Sequence, residues 1–492
     1  MKKKLCFSTL VLSLFVISGF SQAPDVSWIK LYRPVSPYGT GTIGYGFDGH
    51  QLSDQGYIAT GLCVNPYLRA YLVRANSGGD SLWTKQHFTD LPAYGNFTAT
   101  DVEKTNDGGY FITGHGQKYT EMKNVVWILK VTSNGDTLWS RFFSTAQYDS
   151  VLVTNDMKIA PDNGVVIAGT MGVGIGVYEY AFILKYSADG NFQWFKTYGN
   201  GTIFEEGLSI ENAISGGYAL VTRYDSAGVD KVRYRKLSST GETEICRIYQ
   251  DQPESIGDYL YIRKTNDNNY VICGSDWGDY FLMKINEAGE IGWFHTYLGT
   301  SEDEKAHCVY QTSDNGYVLC GSKVPLGGSA DISFILKTSS LGEEEWTKFV
   351  TINDFGQGTR RIEQTTDGGY IIFGSARQEA GGADYLMMMK LGGSSGLESD
   401  KENLLLSRLD QNFPNPFSQG TEINWFQNQK EVVHLGVFDL SGRELAILVN
   451  EVRQAGEHTF QFNPEGKMKP GVYYYRLETK TEILTRKMVF IK

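Results

Sequence analysis

The chain has 492 residues, 41% hydrophobic and 21% charged, which is enough apolar material for folded cores and excludes wholesale disorder. A formal net charge of -11 sets it against a phosphate backbone, so nucleic acid is not an expected partner. Fifty-six Gly, 30 Tyr and only 12 Pro point to many short strands joined by tight turns.

The first element is a targeting segment. Lys2, Lys3 and Lys4 precede an apolar run from Leu5 to Phe20, and Gly19 and Ser21 suit cleavage before Gln22. Residues 1–21 are therefore expected to be a signal peptide. The run is short for a membrane span and no charged stop follows it, so no transmembrane anchor is expected in the mature chain. Beyond Cys6 remain Cys63, Cys246, Cys273, Cys308 and Cys320. An odd number cannot close as a disulfide set, and buried strand positions are the expectation for them.

A lone strand follows, Trp28-Ile29-Lys30. Then a turn signature recurs seven times, at Gln55-Gly56-Tyr57, Gly108-Gly109-Tyr110, Asn163-Gly164-Val165, Gly216-Gly217-Tyr218, Asn268-Asn269-Tyr270, Asn315-Gly316-Tyr317 and Gly368-Gly369-Tyr370. An Asp often precedes it, as at Asp107, Asp162, Asp314 and Asp367. Such turns supply the positive φ of a hairpin. Downstream of each lies an apolar run ending in a cation: Arg74, Lys130, Lys185, Lys236, Lys284, Lys337 and Lys390. In six repeats a Gly follows five residues later (Gly79, Gly135, Gly190, Gly241, Gly289, Gly342), and four further on stands Trp83, Trp139, Trp194, Ile245, Trp293 or Trp346. Each repeat thus predicts four strands.

The seventh repeat lacks its last strand, and Trp28-Ile29-Lys30 matches Trp83-Thr84-Lys85. An array closed by its own N-terminal strand explains both facts and leaves no open sheet edge. The expectation is an all-β protein, with a seven-bladed β-propeller over residues 22–391.

Residues 392–408 read as a linker. Residues 409–492 alternate strands with Gly and Pro-Asn turns and predict a small Ig-like β-sandwich. They open with Gln411-Asn412-Phe413-Pro414-Asn415-Pro416-Phe417. Asp439-Leu440-Ser441-Gly442 follows, then Gly471-Val472-Tyr473-Tyr474-Tyr475-Arg476-Leu477, and Lys487-Met488 near the end. This tail resembles the type A C-terminal sorting domain of the type IX secretion system of Bacteroidetes-type bacteria. The resemblance rests on Asn412, Pro414, Asn415, Pro416, Phe417, Gly442, Gly471, Tyr473 and Lys487. It implies passage through the periplasm, contact with the type IX machinery, and a secreted or cell-surface destination. It says nothing of the cargo's own chemistry.

Motifs for chemistry are sparse. Gly392-Gly393-Ser394-Ser395-Gly396 matches a nucleophile string but lies in the linker. Gly39-Thr40-Gly41-Thr42-Ile43-Gly44 matches a dinucleotide string without a βαβ unit around it. No metal-ligand spacing occurs, so no catalytic residue, metal or cofactor is named. The connections between repeats vary in length, unlike the cation-to-Gly turn, and ligands of such folds usually sit on the variable side. Acids there are Asp149, Glu205, Glu206, Glu254, Asp258, Glu302, Asp303, Glu304 and Asp354. Candidate ligand contacts are Phe204, Glu206, Asp258, Trp277 and Asp303. The expected function is binding or scaffolding, with a polysaccharide or surface protein as ligand. The rival is a carbohydrate-active enzyme, a glycosidase or lyase, using carboxylates on the same side.

Overall fold

The computed structural model describes residues 23–392 apart from 34–43, 65–67, 89–94, 119–120, 122, 146–149, 174–177, 200–203, 227, 251–252, 254–255, 277–278, 298–302, 325–331, 351–356 and 378–383. It also describes 408–491 apart from 410–411, 413, 428–429, 441, 455, 465–467 and 480–482. The expected signal peptide, most of the linker, Trp277, Asp149, Glu254, Glu302 and Asp354 lie outside the described residues.

Among the described residues every regular element is a strand. Seven four-stranded antiparallel sheets occupy residues 26–391. Six follow chain order. The seventh runs Gln357–Gln364, Tyr370–Arg377, Asp384–Leu391 and then back to Val26–Tyr32. Trp28 pairs with Lys390 as the repeat comparison requires. The first strands of the sheets are Gly44–Gln51, Asn96–Lys104, Ser150–Ile159, Glu205–Asn212, Ile256–Lys264, Asp303–Gln311 and Gln357–Gln364. Each lies beside the first strand of the next sheet, and the last returns to the first, in a propeller-like arrangement around a centre.

The turn signatures work as three-residue hairpin loops closed by an αL residue. In the second sheet the Gly108 amide donates to the Thr105 carbonyl at 3.0 Å, and Gly108 carries φ 79°. Gln55, Asn163, Asn268 and Asn315 take the same left-handed conformation in their sheets. The cation of each repeat reaches back to this turn. Lys130 pairs with Asp107 at 2.7 Å, Lys185 with Asp162 at 2.8 Å, Lys284 with Asp267 at 2.5 Å, Lys337 with Asp314 at 2.9 Å and Lys390 with Asp367 at 3.1 Å. Arg74 pairs with Asp54 in the same way. The fourth repeat has Ser215 at the acid's place, and Lys236 turns instead to Glu244.

The second turn is constant because the neighbouring sheet stands on it. A Cβ on Gly135 would meet the Trp83 ring at 2.7 Å, so the indole of one sheet packs directly on the αL glycine of the next. Beside it Lys85 pairs with Asp136, as Lys30 pairs with Asp80 at 3.0 Å and Lys196 with Glu242. The Tyr32, Tyr198, Tyr249 and Tyr297 hydroxyls donate to the carbonyls of the same glycines, at 2.5–3.0 Å. Apolar clusters fill the gaps between sheets, among them one joining Tyr57, Val73, Phe373 and Met388. Cys63, Cys273, Cys308 and Cys320 are buried free thiols, as expected, while Cys246 is exposed.

The tail forms a three-stranded sheet (Arg408–Leu409, Thr421–Gln427, Gly456–Phe462) and a four-stranded one (Glu444–Arg453, Glu431–Phe438, Gly471–Glu478, Ile483–Phe490). Both share one core containing Trp425, Phe417, Leu435, Tyr475 and Met488.

Candidate functional site

Six of the seven first strands carry a bulge at one place, for example between Gly46 and Asp48, Ala99 and Asp101, and Thr154 and Asp156. The bulged residue is left unpaired and the ladder resumes just beyond it, while the strand's other edge has no partner strand, so the amides on that edge need acceptors elsewhere. At four junctions one such amide is taken by a side chain of the preceding sheet. Val102 N donates to Asp48 Oδ2 at 3.1 Å, Met157 N to Asp101 Oδ2 at 2.9 Å, Ile210 N to Asp156 Oδ2 at 3.0 Å and Ile262 N to Ser209 Oγ at 3.3 Å. Four successive sheet junctions are latched by this bond. A buried amide left unpaired would cost about 1–3 kcal/mol, so these acids answer a local need.

Two residues further along six of the seven strands lies a second layer of acidic or basic side chains, Tyr310 standing there in the other. His50 Nδ1 meets Glu363 at 2.6 Å, and His50 Nε2 lies 3.5 Å from Glu103. Lys158 bridges Glu103 at 3.1 Å and Asp156 at 2.9 Å. Arg263 stands 3.8 Å from Asp156 and 3.7 Å from Glu211. Arg361 closes the circuit to Glu363 at 3.2 Å and to Asp48 at 3.5 Å, and also donates to the Tyr261 hydroxyl. The centre of the ring is thus filled, on the side of the turn signatures, by a nearly continuous ionic lattice.

Burial penalises every charge in this lattice, and the partners decide which charges survive. Burial pushes Asp156 up, but Lys158, Arg263 and the Ser209 hydroxyl outweigh it and hold the carboxyl at about 2. Asp48 is likewise held low, burial being overcome by Arg361 and then His50. Asp101 is pushed well above the carboxylate range by burial first and the Asp48 charge second. It keeps its proton and shares a hydrogen bond with Asp48.

The five contacts expected from sequence are spread out. Phe204 and Glu206 come together on one cation: Arg223 pairs with Glu206 at 2.8 Å and lies 5.1 Å over the Phe204 ring. Asp258 and Asp303 belong to first strands, with side chains outside the description, as is all of Trp277. The acids expected in loops at Glu205, Glu206, Asp258, Asp303 and Glu304 lie in strands instead. Glu205 is fully buried, because Arg233 at 2.7 Å, Arg235, and the Thr222 hydroxyl at 2.7 Å replace its water. Glu304 is buried too. Among the described residues no group of three His, Cys, Asp or Glu is placed to hold a metal ion.

Sequence reading missed the latch. Its signal is a polar side chain eight residues before the turn glycine or its equivalent, at Asp48, Asp101, Asp156 and Ser209, while the other repeats put Tyr261, Cys308 and Arg361 there. The residue types differ too much for a repeat pattern to show it.

The tail motif is built inward. The Asn412 amide donates to the Tyr475 hydroxyl at 2.7 Å, and Asn412 Nδ2 donates to Thr421 Oγ1 at 2.8 Å and to the Pro414 carbonyl at 3.2 Å. Asn415 Oδ1 accepts from Val489 N at 2.8 Å, and Asn415 Nδ2 donates to the Lys487 carbonyl at 3.4 Å. The Asn415–Pro416 bond is cis. Phe417 is buried and exchanges backbone bonds with Val489 and Ile491, closing the edge of the last strand. Gly442, at φ 78°, makes the turn after Asp439, Gly471 starts its strand, and the Tyr473 hydroxyl donates to the Lys469 carbonyl at 2.7 Å.

Residues 411–492 match the family model of the secretion system C-terminal sorting domain. This is the tail of type IX cargo, and it marks the protein as secreted or carried to the outer cell surface. No helix among the described residues is long and apolar enough to cross a membrane. No curated protein matches the chain. Among solved structures it is similar to a fungal alcohol oxidase in complex with copper, at 9% identity and TM-score 0.43, covering 96% of this chain and 100% of that one. It is also similar to an α-L-arabinanase of Penicillium chrysogenum complexed with arabinobiose, at 11% and 0.43, covering 75% and 97%. A third is the periplasmic gluconolactonase of Pseudomonas aeruginosa, at 11% and 0.42, covering 72% and 98%.

Proposed function

We propose that residues 22–391 form a seven-bladed β-propeller, closed by the N-terminal strand, that binds or scaffolds a ligand outside the cell. Residues 1–21 then act as signal peptide, 392–408 as linker and 409–492 as an Ig-like sorting domain that engages the type IX machinery. The observation that carries the binding reading is the commitment of the central acids. Asp48, Asp101 and Asp156 each accept a backbone amide of the next sheet, and the charges around them are paired with one another. A glycosidase needs two carboxyls about 5–10 Å apart with substrate between them. Asp48 and Asp101 are joined by a hydrogen bond, which leaves no such gap.

A ligand is then met on the side of the variable connections, with Phe204, Glu206, Asp258, Trp277 and Asp303 as contacts. The test is a glycan and protein array probed with the mature chain, run beside a reducing-end assay on the polysaccharides that bind. Binding without release of reducing ends or unsaturated products is expected. Catalytic release would replace this reading with the enzyme.

A further inference from the structure

Above the ionic lattice, on the side away from the turn signatures, the bulged residues of the first strands form a layer of their own: Phe47, Thr100, Asn155, Leu208, His307 and Arg360. This layer contains no carboxylate. Asn155 is exposed and Arg360 half-buried although both belong to central strands, so the layer opens to a channel at these residues, with the buried His307 beside Arg360. Arg360 makes no ion pair or hydrogen bond with any described residue. Its guanidinium lies 5.2 Å over the ring of Tyr259. That ring meets His307 edge-on, with centroids 4.4 Å apart.

His307 is a neutral imidazole here. Burial, and then the charge of Arg360, hold it down at about 3. Its Nδ1 faces the Thr359 carbonyl, which can only accept, so Nδ1 carries the proton and Nε2 keeps its lone pair. The layer therefore presents an oriented cation beside a hydrogen-bond acceptor. Such a pair selects a ligand carrying an anionic group next to a hydroxyl donor, and acidic sugars have that arrangement.

We propose that this layer is a subsite for the acidic group of a glycan, with Arg360 on the carboxylate or sulfate and His307 Nε2 accepting the adjacent hydroxyl. Tyr259 fixes the guanidinium plane. The inference rests on the binding reading above and names its ligand class.

The experiment is calorimetry of the mature chain with an oligogalacturonate, with its fully methyl-esterified form, and with a sulfated oligosaccharide. At least one acidic glycan is expected to bind, the ester at least about tenfold more weakly, and the sulfated arm tells which anion is preferred. Arg360→Met should weaken acidic binding about tenfold or more, as expected for one charged hydrogen-bonding partner, and Arg360→Lys should restore part of it. Melting temperatures of both variants should match the parent, which separates loss of binding from loss of fold. Equal binding of acid and ester, an unchanged Arg360→Met, or no binding of either acidic glycan overturns the subsite. A neutral glycan or protein found on the arrays that ignores Arg360 would leave the binding module standing and remove only this inference.

Discussion

The Gly392 amide donates to the Asp25 carbonyl at 2.8 Å, although the two residues lie at opposite ends of the ring's chain. The same bond closes the covalent hairpins of other sheets, from Thr132 to Asp136 and from Ser187 to Asn191, at 2.9 Å each. Asp25 also stands 3.8 Å from Lys348, taking the place that Asp136 holds for Lys85. The N-terminal segment thus supplies the missing strand and also the far half of the missing turn.

Removing residues 22–33 should therefore destabilise the whole ring. It uncovers Asp384–Leu391 and removes the Trp28 ring packed edge-on against Tyr57. We expect a loss of about 3–5 kcal/mol, on the scale of large aromatic truncations. Scanning calorimetry of the shortened chain decides the matter, and an unchanged melting temperature would reject this mode of closure.

The two acids of the shared hydrogen bond should respond oppositely to amidation. Asp101 has a raised folded value, so ionisation above pH ~4, where the unfolded chain loses its proton, works against folding. Asp101→Asn keeps the acceptor for Met157 and a donor for Asp48, and should raise stability at pH 7. Asp48→Asn removes the partner of Arg361 and should lower it. Urea titrations at several pH values should show the alkaline decline flattened in Asp101→Asn alone; matching losses in both variants would contradict the protonation assignment.

Asp156 has the reverse linkage. Its folded value of about 2 lies below the unfolded one of about 4, so its contribution is present above pH ~4 and is lost as pH falls toward 2. The shift corresponds to about 2 kcal/mol. Asp156→Ala should cost about 3–5 kcal/mol at pH 7, because Lys158 and Arg263 lose a buried counter-charge. The variant's acid limb should be shallower than the parent's.

Alanine at two αL glycines separates backbone strain from packing. Gly108 and Gly135 share a φ near 78°, but only Gly135 faces an indole. Gly108→Ala should cost about 1–2 kcal/mol, and Gly135→Ala a further 1–3 kcal/mol, roughly, for the displaced Trp83. Equal losses would mean that the indole yields freely.

A chain ending near Gly396 should fold and remain in the periplasm of a host with the type IX system. Phe417→Ala in the full chain should impair export as well, because it removes the buried ring that packs on Phe462 and Phe490 and holds this segment against the last strand. Fractionation with immunoblotting reads both. Surface display of the truncated chain at normal levels would remove the sorting role.

Much of the ring was legible in the sequence because its repeats keep local geometry: a left-handed turn residue, a cation, an αL glycine, an indole. These elements touch at fixed separations along the chain, so spacing alone reveals them. The central lattice was not legible. Asp48, Asp101 and Asp156 act on amides of the next sheet, and the residues that equal them elsewhere are Ser209, Cys308 and Arg361. Glu205 looked like a loop acid because its partners Arg233 and Arg235 lie two strands away. In the tail, Asn412 and Phe417 were recognisable as a motif, but their inward hydrogen bonds appear only with the fold.

Closure by the N-terminal strand also sets an order of events. Val26–Tyr32 is synthesised long before Asp384–Leu391 exists to pair with it; the Ser27 hydroxyl waits 365 residues for its acceptor at Gly392. Until then the nascent chain carries an unsatisfied edge at each end of a growing stack, and contacts of this separation are slow to form. The last sheet completes only when the final repeat is made, just ahead of the tail. A molecule whose ring has not locked exposes strand edges to its neighbours, so completion of the seventh sheet is the step at which assembly competes with aggregation.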